Sequence, residues 1–154
     1  MKTVKAGKGN ALPGIKQYCA YQERCHAEVR EKLRSYALSD EKAEEILAQL
    51  IEENYLNEER FAIQFAGSKF RMKNWGKVKI KHALKQRQVN EYCIGKAMKA
   101  IDENEYLRTF NKLAAQKINI LKAEQNLLVK KKKVQDYLLQ KGYEYEMVSK
   151  VKVK

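Results

Sequence analysis

Eight lysines and arginines, and no acid, lie between Lys69 and Arg87 in the stretch KFRMKNWGKVKIKHALKQR, with the chain's single tryptophan, Trp75, among them. Ammonium and guanidinium groups at this density bind anions, and an exposed indole beside them can stack on a nucleobase. On a helix that begins near Trp75, Lys77, Lys81 and Lys85 fall at i, i+4 and i+8 and make one charged stripe beside Ile80 and Leu84. Like charges at that spacing repel by a few tenths of a kcal/mol per pair, a cost that an anionic partner relieves. Lys69, Arg71 and Lys73 precede the tryptophan and suit the carboxyl end of a helix. Arg87 closes the stretch. A second run, Lys130, Lys131, Lys132 and Lys133, adds four consecutive cations. Nothing in either run reads a base sequence; an acidic protein surface satisfies the charge as well as phosphates do, and a solvated face is the plain alternative. Trp75 either packs between structural units or stacks on a base.

The remaining reactive residue types form no catalytic pattern. The two histidines, His26 and His82, lack a partner in sequence that would make a general base. Cys19, Cys25 and His26 have no second close pair to complete a tetrahedral metal site. Gly7 and Gly9 do not make a phosphate loop. The acid pairs Glu44-Glu45, Glu52-Glu53 and Glu58-Glu59 read as helix surface and first-turn charges. The expectation is a protein without catalytic residues, cofactor or metal. Three cysteines in no disulfide pattern point to free thiols and a reducing compartment. No apolar run reaches the ~20 residues that span a bilayer and the amino terminus has no signal-peptide core, so the expectation is a cytoplasmic chain with no membrane partner.

These residues need elements to hold them, and the composition supplies helices. One proline and seven glycines in 154 residues, with abundant Ala, Leu, Glu, Lys, Gln and Arg, exclude a β-sandwich; 44% hydrophobic residues exclude wholesale disorder. The net charge of +13 favours anionic partners and is unevenly placed: eleven acids face five bases from Glu23 to Glu59. Residues 1–13 read as a flexible basic tail, with Pro13 at the start of a short helix through Ile15, Tyr18 and Cys19. Val29, Leu33 and Tyr36 mark the next helix. Ser39 caps a helix whose buried stripe is Ala43, Ile46, Leu47, Leu50 and Ile51. Asn57 caps another, with Phe61, Phe65 and Ile63 as its contacts.

Beyond Trp75-Gly76 the pattern returns. A shift of 51 residues places Ile80 on Val29, Leu84 on Leu33, Val89 on Leu38, the cap Asn90 on Ser39, and Tyr106-Leu107 on Tyr55-Leu56. Ile94, Ala97, Met98 and Ile101 then make a second-helix stripe, and a third helix covers roughly 104–121. Val134, Tyr137, Leu138 and Leu139, the stop Gly142-Tyr143, and Met147, Val148 and Val151 make a third, shorter copy. Residues 122–129 either continue the preceding helix or link. The division is a leading helix plus a first three-helix repeat over 14–74, a second repeat over 75–121, and a truncated third over 122–154. The fold class is all-α: tandem three-helix repeats, stacked so that each touches only its neighbours, in an elongated, curved monomer.

Four segments, HAEVREKL, EEILAQLIEENYLNEERFAIQFAGSKF, WGKVKIKHALKQRQVNEYCIGKAM and KKKVQDYLLQKGYEYEMV, resemble the bacterial regulatory protein RecX family. The resemblance covers roughly residues 15–152 and is most specific at the junction YLNEERF (Tyr55–Phe61) and the opening Trp75–Leu84. His26-Ala27 stands where the family favours a serine, and Gln88-Val89 where it has Gly-Ile. The resemblance implies three tandem three-helix units without catalytic residues. It also implies a modulator, usually an inhibitor, of the RecA recombinase that lies in the groove of the RecA–DNA filament and blocks strand exchange and LexA cleavage. The partners implied are the RecA filament and, weakly and without sequence preference, single- or double-stranded DNA. The alternative is a helical protein that binds DNA nonspecifically and acts without RecA.

Overall fold

The computed structural model describes residues 8–154, with side chains from Ala11 onward. The described residues are helical, with no strand among them: α1 (Lys8–Tyr21), α2 (His26–Arg34), α3 (Asp40–Glu52), α4 (Glu58–Lys73), α5 (Lys77–Gln86), α6 (Glu91–Lys99), α7 (Glu103–Ile120), α8 (Leu127–Lys141) and α9 (Tyr145–Val148). They form two compact units. The first takes residues 8–64 and Leu84–Lys96; the second takes Phe65–Ala83 and Ala97–Lys154.

The first unit is built on α1, α2 and α3, which pack on one another. Its core joins Ala11, Ile15 and Cys19 to Val29, Leu33, Ile46, Leu47, Leu50 and Leu56. The expected tail is therefore shorter than the sequence implied. Residues 1–7 lie outside the described residues, but the rest is helix, with Pro13 inside α1. Ala11, Ile15 and Cys19 at spacing four supply a buried stripe, and that burial outweighs the one backbone hydrogen bond a proline forfeits. Three expected caps form: Ser39 Oγ accepts from Lys42 N at 3.1 Å, Asn57 Oδ1 from Arg60 N at 2.9 Å, and Asn90 Oδ1 from Cys93 N at 2.8 Å. At α2, two carboxylates replace the family's serine: Glu28 accepts from Cys25 N at 3.1 Å, and the buried Glu58 from His26 N at 2.9 Å. Ile51 and Ile63, expected inside, are exposed. Ala62 takes the inward position on α4.

The second unit is organised around α7 and α8, with α9 on α8. Phe110, Leu113, Ala114, Val134, Leu138 and Val148 are buried. Four rings make a continuous series: Phe70 to Tyr106 (5.8 Å between centroids), Tyr106 to Tyr143 (5.2 Å) and Tyr143 to Phe110 (5.3 Å). Leu107 and Leu139, read as apolar contacts, are exposed. Residues 121–126 are a turn and connection, not a helix, and Asn126 caps α8.

The repeat survives most clearly where α2, α5 and α8 end. Within three residues of its end each is followed by a residue in the left-handed region: Ala37 (φ 57°), Gln88 (φ 63°) and Gly142 (φ 102°). Each is followed by an inward apolar residue: Leu38, Val89 and Tyr143. At the latter two the paired turn bonds are complete, with Gln88 N to Lys85 O at 2.9 Å and Val89 N to Leu84 O at 3.1 Å, and Gly142 N to Leu139 O at 3.0 Å and Tyr143 N to Leu138 O at 3.2 Å. Gln88 thus adopts the turn a glycine normally makes. The 51-residue offset holds through the caps Ser39 and Asn90 and then breaks, because α6 has 9 residues where α3 has 13. Tyr106 is buried and Leu107 exposed, the reverse of Tyr55 and Leu56.

Candidate functional site

The stretch around Trp75-Gly76, expected to join two repeats, lies inside the second unit from Lys69 to Ala83. α4 ends at Lys73, and Asn74 turns the chain in the left-handed region (φ 59°). The start of α5 is capped by the carboxyl end of α8. Gly76 N donates to Lys141 O at 2.8 Å and Val78 N to Gly142 O at 2.9 Å. Lys77 N donates to Tyr106 Oη at 2.8 Å. Helix starts leave N–H groups unpaired and helix ends leave carbonyls unpaired; here each satisfies the other, and their opposite partial charges attract. The approach needs glycine. A Cβ on Gly76 would stand 2.5 Å from Tyr143 N and closer still to the Gly142 carbonyl.

The end of α4 is tied to the same place. Lys141 Nζ donates to Lys73 O at 2.9 Å, and Tyr143 Oη to Asn74 O at 2.9 Å. Tyr106 Oη donates to Glu144 at 2.6 Å while accepting from Lys77 N. Burial first, and the Glu144 carboxylate second, push the Tyr106 phenol far above its usual range; burial does the same to Tyr143. The corner is a packed, fully hydrogen-bonded joint that fixes where the neighbouring cations emerge.

Those cations divide. Lys77, placed on the functional stripe by its spacing, has a side chain only 15% exposed, 3.6 Å from Glu103 and 4.7 Å from the Tyr106 ring centroid. Its charge has a structural use that the sequence concealed, since both partners come from α7. Lys85 lies 3.5 Å from Glu91 in the first unit, and Arg87 is half-buried there. Lys81, Arg71 and Lys73 are exposed, with no ion pair among the described residues. In the second run Lys130 is only 6% exposed and donates to Lys154 O at 2.9 Å, so it cannot meet a partner as a free cation. Lys132 pairs with Asp136 and Lys133 with Glu124; of this run Lys131 alone is exposed with no partner among the described residues.

Trp75 is half-buried, and it neither fills a core nor offers a bare ring. Lys69 Nζ lies 5.0 Å and Lys79 Nζ 4.8 Å from its centroid. Lys79 and Lys141 were missed from the sequence. The signal for Lys79 was its place one turn after Trp75; for Lys141 it was its position immediately before the stop Gly142. Charge is concentrated in this unit: its residues include nineteen Lys and Arg against seven Asp and Glu, whereas residues 8–64 and 84–96 include eleven against twelve. Among the described residues no group of three or more His, Cys, Asp or Glu could hold a metal ion, and no helix is long and apolar enough to cross a membrane.

Comparison with known proteins agrees with this architecture. Residues 57–98 match the family model of the RecX second three-helix domain, and residues 103–151 that of the third. These ranges take α4–α6 and α7–α9 as units, one helix earlier than the division drawn from the offset; a period leaves its own phase open. The regulatory protein RecX of Clostridium perfringens (strain 13 / Type A) is 33% identical over 120 residues, covering 77% of this chain and 56% of the relative. The chain thus spans little more than half the length of that protein. The regulatory protein RecX of Chlorobaculum tepidum is 28% identical over 141 residues, covering 92% of this chain and 85% of its own. The crystal structure of RecX from Lactobacillus salivarius superposes with a TM-score of 0.84 over 92% of both chains, at 22% identity. With the two domain models together matching more than half of its length, the chain belongs to the RecX family.

Proposed function

We propose that this chain is a regulatory protein that binds the RecA recombinase on its DNA filament. There it lowers RecA's ATP hydrolysis, strand exchange and LexA-coprotease activity, and so restrains recombination and DNA repair. Membership of the RecX family, whose relatives bear the name regulatory protein, supports a regulatory role. The observation that carries the filament reading is the segregation of charge. A near-neutral unit is joined in one chain to a unit with nineteen cations and seven anions. Such a pairing suits a target that is part protein and part polyanion. Of the cations singled out from the sequence, Arg71, Lys73, Lys81 and Lys131 are exposed with no ion pair among the described residues, and they are the ones assigned to that target.

The strong positive excess also favours a simpler reading, nonspecific DNA binding without RecA. A pull-down separates the two. Tagged protein is mixed with RecA alone, with DNA alone, and with RecA–DNA filaments, at a salt concentration that strips it from naked DNA. Retention by the filaments at that salt is the expected result. Equal loss from filaments and naked DNA would leave only the DNA-binding reading.

A further inference from the structure

Four lysines from three helices converge on the Trp75 corner, next to the buried tyrosines. Lys69 and Lys73 come from α4, Lys79 from α5 and Lys141 from α8. Lys69 and Lys79 hold their ammonium groups over one ring, within 5.0 and 4.8 Å of its centroid, so the two lie no more than about 10 Å apart. Lys141 Nζ is fixed 2.9 Å from the carbonyl of Lys73. Among the described residues none of the four has an ion pair, unlike Lys77, Lys132 and Lys133 in the same unit. Burial, and then the charges of Lys79 and Lys73, pull the Lys141 ammonium below its usual range, so the like charges there do repel. Two backbone bonds, Gly76 N to Lys141 O and Val78 N to Gly142 O, and one side-chain bond, Tyr143 Oη to Asn74 O, set the frame. The lysines are therefore mounted on a stiff joint, which reduces the entropy lost when they bind.

We propose that Lys69, Lys73, Lys79 and Lys141 form a phosphate-binding cluster for a nucleic-acid backbone, with Trp75 as the platform that positions two of the ammonium groups. Trp75 then does not stack on a base: its ring already carries two cations, and those serve as the phosphate ligands. A nucleic acid fits better than an acidic peptide because the whole unit is positive, nineteen cations to seven anions, which matches a long, evenly charged polyanion. The proposal rests on the reading of the chain as a filament-binding protein, and it identifies the DNA strand as what the basic unit touches.

Trp75 is the only tryptophan, so its fluorescence reports on the cluster directly. The full chain is titrated, without RecA, with oligodeoxythymidylate and separately with polyglutamate of equal charge. Saturable change in the emission by the oligonucleotide, and much weaker change by polyglutamate, is expected. Affinity is read in parallel as anisotropy of a labelled oligonucleotide. Each of Lys79→Gln and Lys141→Gln should reduce the slope of log affinity on log salt by about 0.7, which is roughly fivefold in affinity at 0.1 M salt. Lys42→Gln, in the near-neutral unit and paired with Glu45, should change affinity less than twofold, and Trp75→Phe, which keeps an aromatic platform, should lose no more than either lysine variant. Circular dichroism verifies the fold of each variant. Three results would overturn the proposal: equal response to polyglutamate, oligonucleotide binding that leaves Trp75 emission and the lysine variants unaffected, or a large loss confined to Trp75→Phe. Because RecA is absent, failure here leaves the pull-down result standing, and failure of the pull-down leaves the cluster standing.

Discussion

Gly76→Ala tests whether the close approach of α5 to the end of α8 holds the second unit together. The φ of Gly76 is not in the left-handed region, so the glycine is needed for space alone. An added methyl would stand 2.5 Å from Tyr143 N and press on the carbon and oxygen of Gly142. These are backbone atoms that cannot swing away as a side-chain tip can. Relief requires the two helix ends to part, which breaks the bonds of 2.8 Å from Gly76 N to Lys141 O and 2.9 Å from Val78 N to Gly142 O. The two lost bonds cost about 1 kcal/mol each, and stranding their groups adds about 1 kcal/mol in all, for a total of about 3 kcal/mol. In a chain of this size each kcal/mol moves the midpoint by about 2–4 °C, so Tm should fall by roughly 6–12 °C. The assay is thermal unfolding followed by circular dichroism at 222 nm, with Gly95→Ala as the matched control. Gly95 sits in α6 with nothing within 4 Å of an added Cβ, and alanine there should stabilise by about 1 kcal/mol. A Gly76→Ala protein that melts within about 2 °C of the wild type would refute the reasoning.

Three further outcomes follow from the same geometry. Gln88→Gly should stabilise by about 0.5–1 kcal/mol, because Gln88 holds φ 63° against the cost its side chain imposes there; urea unfolding measures it. Tyr106 and Tyr143 favour the neutral phenol in the folded state, so their contribution is complete below about pH 10, the ordinary phenol value, and is lost as pH rises above it. Tm should fall steeply above that pH, and absorbance at 295 nm should show at least two of the nine tyrosines ionising only on unfolding. Burial pushes the Cys25 thiol up to about 11, so a thiolate-selective reagent at pH 8 should leave it unmodified until denaturant is added, as mass spectrometry of the labelled peptide would report.

Local chemistry was legible in the sequence, and long-range chemistry was not. Ser39, Asn57 and Asn90 are caps because each accepts from an N–H three residues on, a relation any reader of the sequence can see. The helix stop at Gly142-Tyr143 and its counterpart at Gln88-Val89 are equally local. The offset of 51 tracked α2 onto α5 and α3 onto α6, then failed at Tyr106-Leu107, because the shorter α6 moves the following cap to Asp102. The lysines show the same limit. Helical spacing placed Lys77, Lys81 and Lys85 on one stripe, but Glu103 and Tyr106, remote in sequence, remove Lys77 from it. Lys130 looked like its three neighbours until a carbonyl 24 residues away took its ammonium. Lys141 could join the Trp75 corner only once α8 was known to end against α5, a contact between residues 65 apart in the chain that leaves no mark on local pattern.

Regulation of RecA by occupation of its filament, as proposed above, is read from the rate of RecA-catalysed ATP hydrolysis on single-stranded DNA as the protein is titrated in. The rate is expected to fall at protein concentrations well below that of RecA, with DNA far from coated. A rate that is unchanged, or that falls only when there is enough protein to cover the DNA, would contradict it.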